Sequence, residues 1–410
     1  MRGVLALLGA LLAAPAYGQT ASAAAPPAPT NEDCATCHGD ATAARADGTS
    51  VAVDAARFAA SVHGQLGLSC VDCHADALEV PHADALRPVE CATCHEAATT
   101  AYRTGVHAPA GAGGEPAGAR CIDCHGTHDI LPSSDPLSAT YHLNLARTCG
   151  RCHGTGSSAD VPGGNVLSQF TDSIHGRALE RAGLLVAPSC ASCHGAHDIL
   201  DNAAPESRVF RARVPDTCGT CHEGVERVFA ASVHGTLLAQ GHPRAPVCSD
   251  CHTAHAVVRS EQDTFRVGVI GSACGSCHRE ALATYRDTFH GQVTELGYSQ
   301  VATCADCHSA HAQFPKADPR STVSDVNRLT TCQQCHPTAN ANFARYDPHA
   351  DAHDYERGPV LYYTARFMTL LLAGVFGFFG LHTTLWFARS LREARARRAG
   401  PPAPTEDTDA

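Results

Sequence analysis

Residues 218–255 read CGTCHEGVERVFAASVHGTLLAQGHPRAPVCSDCHTAH, and every feature that repeats along the chain is present in this stretch. It opens on Cys-x-x-Cys-His and continues through Val225, Val228, Phe229 and Val233 at helical spacing. It then reaches Ser-Val-His-Gly at 232–235 and closes on a second Cys-x-x-Cys-His with one more histidine, His255, three residues on. Outward from here the string occurs at Cys34/Cys37/His38, Cys70/Cys73/His74, Cys91/Cys94/His95, Cys121/Cys124/His125, Cys149/Cys152/His153 and Cys190/Cys193/His194. It recurs at Cys218/Cys221/His222, Cys248/Cys251/His252, Cys274/Cys277/His278, Cys304/Cys307/His308 and Cys332/Cys335/His336. These motifs use all 22 cysteines of the 410 residues.

The motifs alternate between two contexts. Those beginning at 34, 91, 149, 218, 274 and 332 lead into a segment that ends near Ser-x-His-Gly; those at 70, 121, 190, 248 and 304 are followed closely by another histidine. First-context starts are 57, 58, 69, 56 and 58 residues apart. A fixed period of this kind marks an array, here five two-motif modules and one unpaired motif. The long interval contains GTGSSADVPGG (154–164), and APAGAGGEPAGA (108–119) is a similar insert; both read as solvent loops.

Two thiols three residues apart can each form a thioether to one haem, and the imidazole of the next residue can then reach the iron. Cys-x-x-Cys also builds zinc ribbons and redox dithiols, but eleven copies, each followed by His, point to eleven covalent c-type haems. The composition agrees. With 35 Gly, 24 Pro and 6% aromatic residues, the chain has little from which to make an ordinary core of this size. The expected fold is mainly α with extensive irregular loops, packed around haem and built from two-haem repeats, plus one transmembrane helix. A formal charge of −11, with basic residues clustered only after residue 388, argues against a nucleic-acid partner.

The sixth iron position needs a donor. The methionines are Met1 and Met368 and the single lysine is Lys316, which leaves histidine. Of fifteen histidines outside the motifs, His63, His82, His107, His128, His175, His197, His234, His255, His290 and His311 fall at repeating positions. His349 follows Phe343 much as His234 follows Phe229, and it is the candidate for the C-terminal haem group, with His353 in reserve. His82 departs most from its class, eight residues after His74 rather than three. A helix over 222–234 would hold His222 and His234 about 18 Å apart, and His125 and His128 on one helical turn would be about 4.5 Å apart on one side. Neither pair could sandwich one iron, so each distal histidine is expected to serve a neighbouring motif's haem.

The ends of the chain set its location. Val4–Ala14 is an apolar run before Ala16-Tyr17-Gly18, which reads as a secretory signal over 1–18, with a linker over 19–32. The haem domain is placed at 33–356. Phe367–Ala388 carries no formal charge, which places a transmembrane helix within 361–388. Arg389, Arg392, Arg395, Arg397 and Arg398 follow, so 389–410 reads as a cytoplasmic basic segment and disordered tail. The expected location is the inner membrane, single-pass, with the large domain periplasmic.

With these strings assembled, the chain resembles the multihaem c-type cytochromes of bacterial respiration, above all the periplasmic pentahaem and decahaem electron conduits. Their repeats likewise combine Ser-x-His-Gly with Cys-x-x-Cys-His-x-x-His, and the resemblance covers about 33–340. It implies bis-histidine haems that pass electrons between a membrane, quinol-linked donor and a periplasmic or outer-membrane acceptor. A b-type cytochrome or other quinol-oxidising membrane subunit is the expected partner; His382, inside the span, either docks against it or is a neutral histidine bonded to a nearby carbonyl or water. The rival reading is a multihaem reductase or oxidase of nitrogen or sulfur compounds with one open haem.

Overall fold

The computed structural model describes residues 27–108, 118–154 and 165–400. The signal over 1–18, most of both Gly-rich inserts and the tail beyond 400 lie outside the described residues. What is described consists of short helices joined by irregular loops, and its only strand pairing is an isolated bridge between Ala44 and Ser50. The buried apolar side chains among the described residues are few and mostly small: Ala77, Ala146, Leu179, Ala245, Val247, Ile270, Tyr285, Ala339 and Ala344. Instead of a side-chain core there is a continuous cavity of about 4570 Å³, lined by cysteines and histidines of the motifs from Cys91 to His336. An ordinary ligand pocket holds roughly 300–1,000 Å³, so the space suits several large groups.

Each context has its own local device. In the first, three of the motif histidines break the helix: His95, His222 and His278 have ψ of 48°, 41° and 57°. Helix resumes at once, as in Glu96–Thr104 and Arg279–Arg286. It then stops at a Ser or Thr that caps the next short helix. Ser61, Ser173, Ser232 and Thr288 each accept a hydrogen bond from the amide of the glycine three residues on, at 3.0–3.2 Å. Those glycines pack on the preceding carbonyl: a Cβ at Gly64, Gly176, Gly235 or Gly291 would come within 2.0–2.2 Å of the oxygen of Phe58, Phe170, Phe229 or Tyr285. Ser-x-His-Gly is thus a capping residue, a histidine at the second helical position and a glycine that no other residue can replace without a shift. The continuous helix expected over 222–234 is therefore replaced by two, Val214–Ala230 and Val233–Ala239, because Ser232 caps the second.

In the second context the motif forms a five-residue helix, as in Cys121–His125, Cys190–His194, Cys248–His252 and Cys304–His308. The next residue has positive φ: Gly126 84°, Gly195 86°, Thr253 63° and Ser309 68°. This region is costly for Thr and Ser, and it turns the chain out of the helix. His125 and His128 therefore do not share a helical turn. Ala75 stands at this place after His74, whose helix, Cys70–Cys73, is one residue shorter.

Pro359–Arg398 is a single forty-residue helix, long and apolar enough to cross a membrane by length and composition. It extends past both limits of the 361–388 segment, with Arg389 to Arg398 on its last turns.

Candidate haem sites

Eleven pairs of imidazoles face each other, with ring centroids 5.8–6.2 Å apart, and each pair joins one motif histidine to one non-motif histidine. A histidine–metal bond is about 2.0 Å, so two nitrogens on opposite sides of one ion stand about 4 Å apart and the ring centroids roughly 6 Å. The separation fits a six-coordinate haem iron between each pair. Among the described residues no group of three or more potential metal ligands forms, so the histidines meet only in twos.

The pairs fall into two threads running in opposite directions. Histidines of the first context reach forward two motifs: His63 faces His95, His107 faces His153, His175 faces His222, His234 faces His278 and His290 faces His336. Those of the second reach back two: His128 faces His74, His197 faces His125, His255 faces His194 and His311 faces His252. Both threads run out at the ends. There His82 reaches back one motif to His38, and His349 faces His308, not the His336 of its own motif. Four further histidines stand outside the pairs. His142 Nε2 bonds the carbonyl of Ala187 at 2.8 Å, His242 accepts from the Arg244 amide, His353 pairs with Asp351, and His382 lies on the terminal helix.

Backbone hydrogen bonds tie the threads together. The amide before a forward histidine donates to the carbonyl two residues after a backward one: Val62 to Ile130, Val106 to Ile199, Ile174 to Val257 and Val233 to Gln313, at 2.7–2.9 Å. Each staple delivers two histidines to consecutive motifs, the second and third, the fourth and fifth, and so on. The cysteines are grouped differently. Cys34 and Cys70, Cys91 and Cys121, Cys149 and Cys190, Cys218 and Cys248, and Cys274 and Cys304 make thiol-to-thiol contacts, joining the first and second motifs, the third and fourth, and so on. The two groupings are offset by one motif, which fastens each module to the next. None of the staple residues was visible as functional in the sequence, since a carbonyl carries no residue signature.

Not every cysteine expected to hold haem lines the large cavity. Cys34, Cys37, Cys70 and Cys73 of the first two motifs lie off it, and so do Cys94 and Cys221, both of them exposed. Around Cys94 the motif forms a three-residue 3₁₀ turn, Cys91–Thr93, which ends one residue short of it. Cys94 stands instead near Cys73 of the preceding motif, whose thiol is pushed up by burial and then by Asp72 and Cys94. Cys221 immediately precedes the helix break at His222. Cys91 and Cys218 of the same two motifs do line the cavity, so these motifs present one thiol inward and one at the rim.

Burial, and then the facing imidazole, holds His125, His194, His252 and His308 below the usual histidine value. That favours the neutral ring, the form that binds a metal. Burial raises the thiols of Cys124, Cys193 and Cys307, and cysteines of the next motif push them up further. Consecutive motifs are therefore neighbours in space.

The chain is similar to known proteins over part of its length. The Cytochrome c3 family matches residues 62–154. The cytochrome c-type protein NrfB of Escherichia coli O6:H1 is 24% identical over 169 residues, which is 39% of this chain and 80% of that protein. No solved structure matches. The chain is a multihaem c-type cytochrome with covalently bound haem c, and its work is electron transfer.

Proposed function

We propose that the chain holds eleven bis-histidine haems and carries electrons between a membrane partner at its C-terminal helix and an acceptor at its N-terminal end. The carrying observation is that each motif histidine faces a histidine from another motif's segment, which favours a carrier over a reductase needing an open haem. When bound, haem c supplies a one-electron iron couple; the chain supplies the thiols, both axial imidazoles and the packing that sets neighbouring sites side by side. Ligation without methionine favours low potentials. Intact-mass measurement should give eleven covalent haems, and the oxidised spectrum should be low-spin throughout; a smaller number of haems would refute the reading.

The helix Pro359–Arg398 begins ten residues after His349, which supports electron entry or exit at the membrane end of the array. A b-type cytochrome or other quinol-oxidising subunit, packed near His382, is the partner that suits a single span. The far end suits a periplasmic or outer-membrane acceptor with a basic docking face. Residues 27–97 carry eleven exposed carboxylates against Arg45, Arg57 and Arg87, a field that steers cationic partners and weakens with salt.

A further inference from the structure

Eight of the eleven distal histidines are delivered in pairs on the four backbone staples, His290 sits on the capped helix Phe289–Glu295, and His349 is held by a side chain. His349 Nδ1 bonds the Thr284 hydroxyl at 3.0 Å, and its amide bonds Asp347. His82 is the one left over. Its second ring nitrogen bonds only the carbonyl of its own neighbour, Ala83, at 2.8 Å. Residues 78–89 around it contain no helix or strand and make no backbone-to-backbone hydrogen bond among the described residues. Leu78, Val80 and Val89 are exposed, and the loop borders a cavity of about 450 Å³ beside Cys37 of the first motif. Few hydrogen bonds and exposed apolar side chains mark a segment that opens at low cost. The first haem, by contrast, stays tethered by Cys34 and Cys37 and by His38, whose Nδ1 is held by the Val51 carbonyl at 2.8 Å.

We propose that His82 is an exchangeable ligand, so that the site of His38 is also a binding site for a small uncharged diatomic ligand. His82 leaves as a neutral imidazole, and the lone pair of the incoming ligand takes its place with no net transfer of electrons or protons. The proposal rests on the reading of His38 and His82 as axial ligands of one haem. It is tested by mixing the reduced full-length protein with carbon monoxide and following the optical change. The wild type should bind one carbon monoxide per molecule at a rate that does not depend on its concentration, because departure of His82 limits it. In His82→Ala that rate should become proportional to concentration, with one haem high-spin before mixing. A wild type that binds none, beside a His82→Ala variant that binds one, leaves the ligand assignment intact and overturns the exchange. A His82→Ala variant that stays wholly low-spin overturns the assignment itself. Unchanged kinetics in that variant would place the exchangeable site on another haem and overturn the proposal. In His128→Ala, which opens the second haem instead, the slow wild-type phase should persist.

Discussion

The interior of the array and its two ends solve the same problem by different means. Inside, a histidine from one module and a histidine from the next module, three motifs on, are fixed by a backbone hydrogen bond such as Ile174 to Val257, and each faces a motif that neither belongs to. At the ends this pattern stops, and His82 and His349 face His38 and His308 from irregular loops. The N-terminal closure leans on a local contact to Ala83, and the C-terminal one on Thr284 from the helix Arg279–Arg286. Interior repeats thus share one kind of staple, whereas each end is particular to this chain.

The largest effect that sets the two apart is the removal of a whole interior module. Excising residues 218–273 should leave a protein with two fewer haems and no high-spin signal, since His175 would then meet His278 and His311 would meet His194 as in any repeat of the array. A persistent high-spin haem would show that interior modules are not equivalent. Next, His234→Ala should turn high-spin the haem on Cys274 and Cys277, leaving that on Cys218 and Cys221 low-spin, as the facing of His234 and His278 requires. A structure of the variant with its own motif's haem opened instead would break the forward thread. A smaller effect is expected from Gly235→Ala, where the new Cβ would stand 2.2 Å from the Phe229 carbonyl; overpacking of this kind costs about 1–3 kcal/mol, readable in thermal unfolding. Thr284→Val should be the mildest. Losing one hydrogen bond costs about 0.5–1.5 kcal/mol and should make His349 resemble His82, adding a second slow carbon monoxide phase; no added phase would mean that Thr284 does not distinguish the ends.

Much of this was legible in the residues alone. The eleven Cys-x-x-Cys-His strings named the cofactor, because thioether attachment requires that spacing. The scarcity of Met and Lys narrowed the distal donors to histidine. Two local expectations did not survive: the single helix over 222–234, which Ser232 caps and divides, and the helical turn through His125 and His128, which the positive φ at Gly126 ends. In both cases a short-range cap outcompeted apolar periodicity, and the fold sets His222 opposite His175 and His125 opposite His197. Nor does the uniform spelling of the motif reveal that Cys124 lines the large cavity while Cys94 does not.

What the sequence determined by itself was the chemistry, since covalent attachment and axial ligation are written in residue types and in spacings of three to a dozen residues. Which histidine meets which was decided only by tertiary structure. His63 lies 32 residues from its partner His95, and His82 lies 44 from His38; no local rule spans such distances. The partners are set by staples between backbone groups that every residue has, and by the positive-φ turns that swing the second histidine away from its own motif.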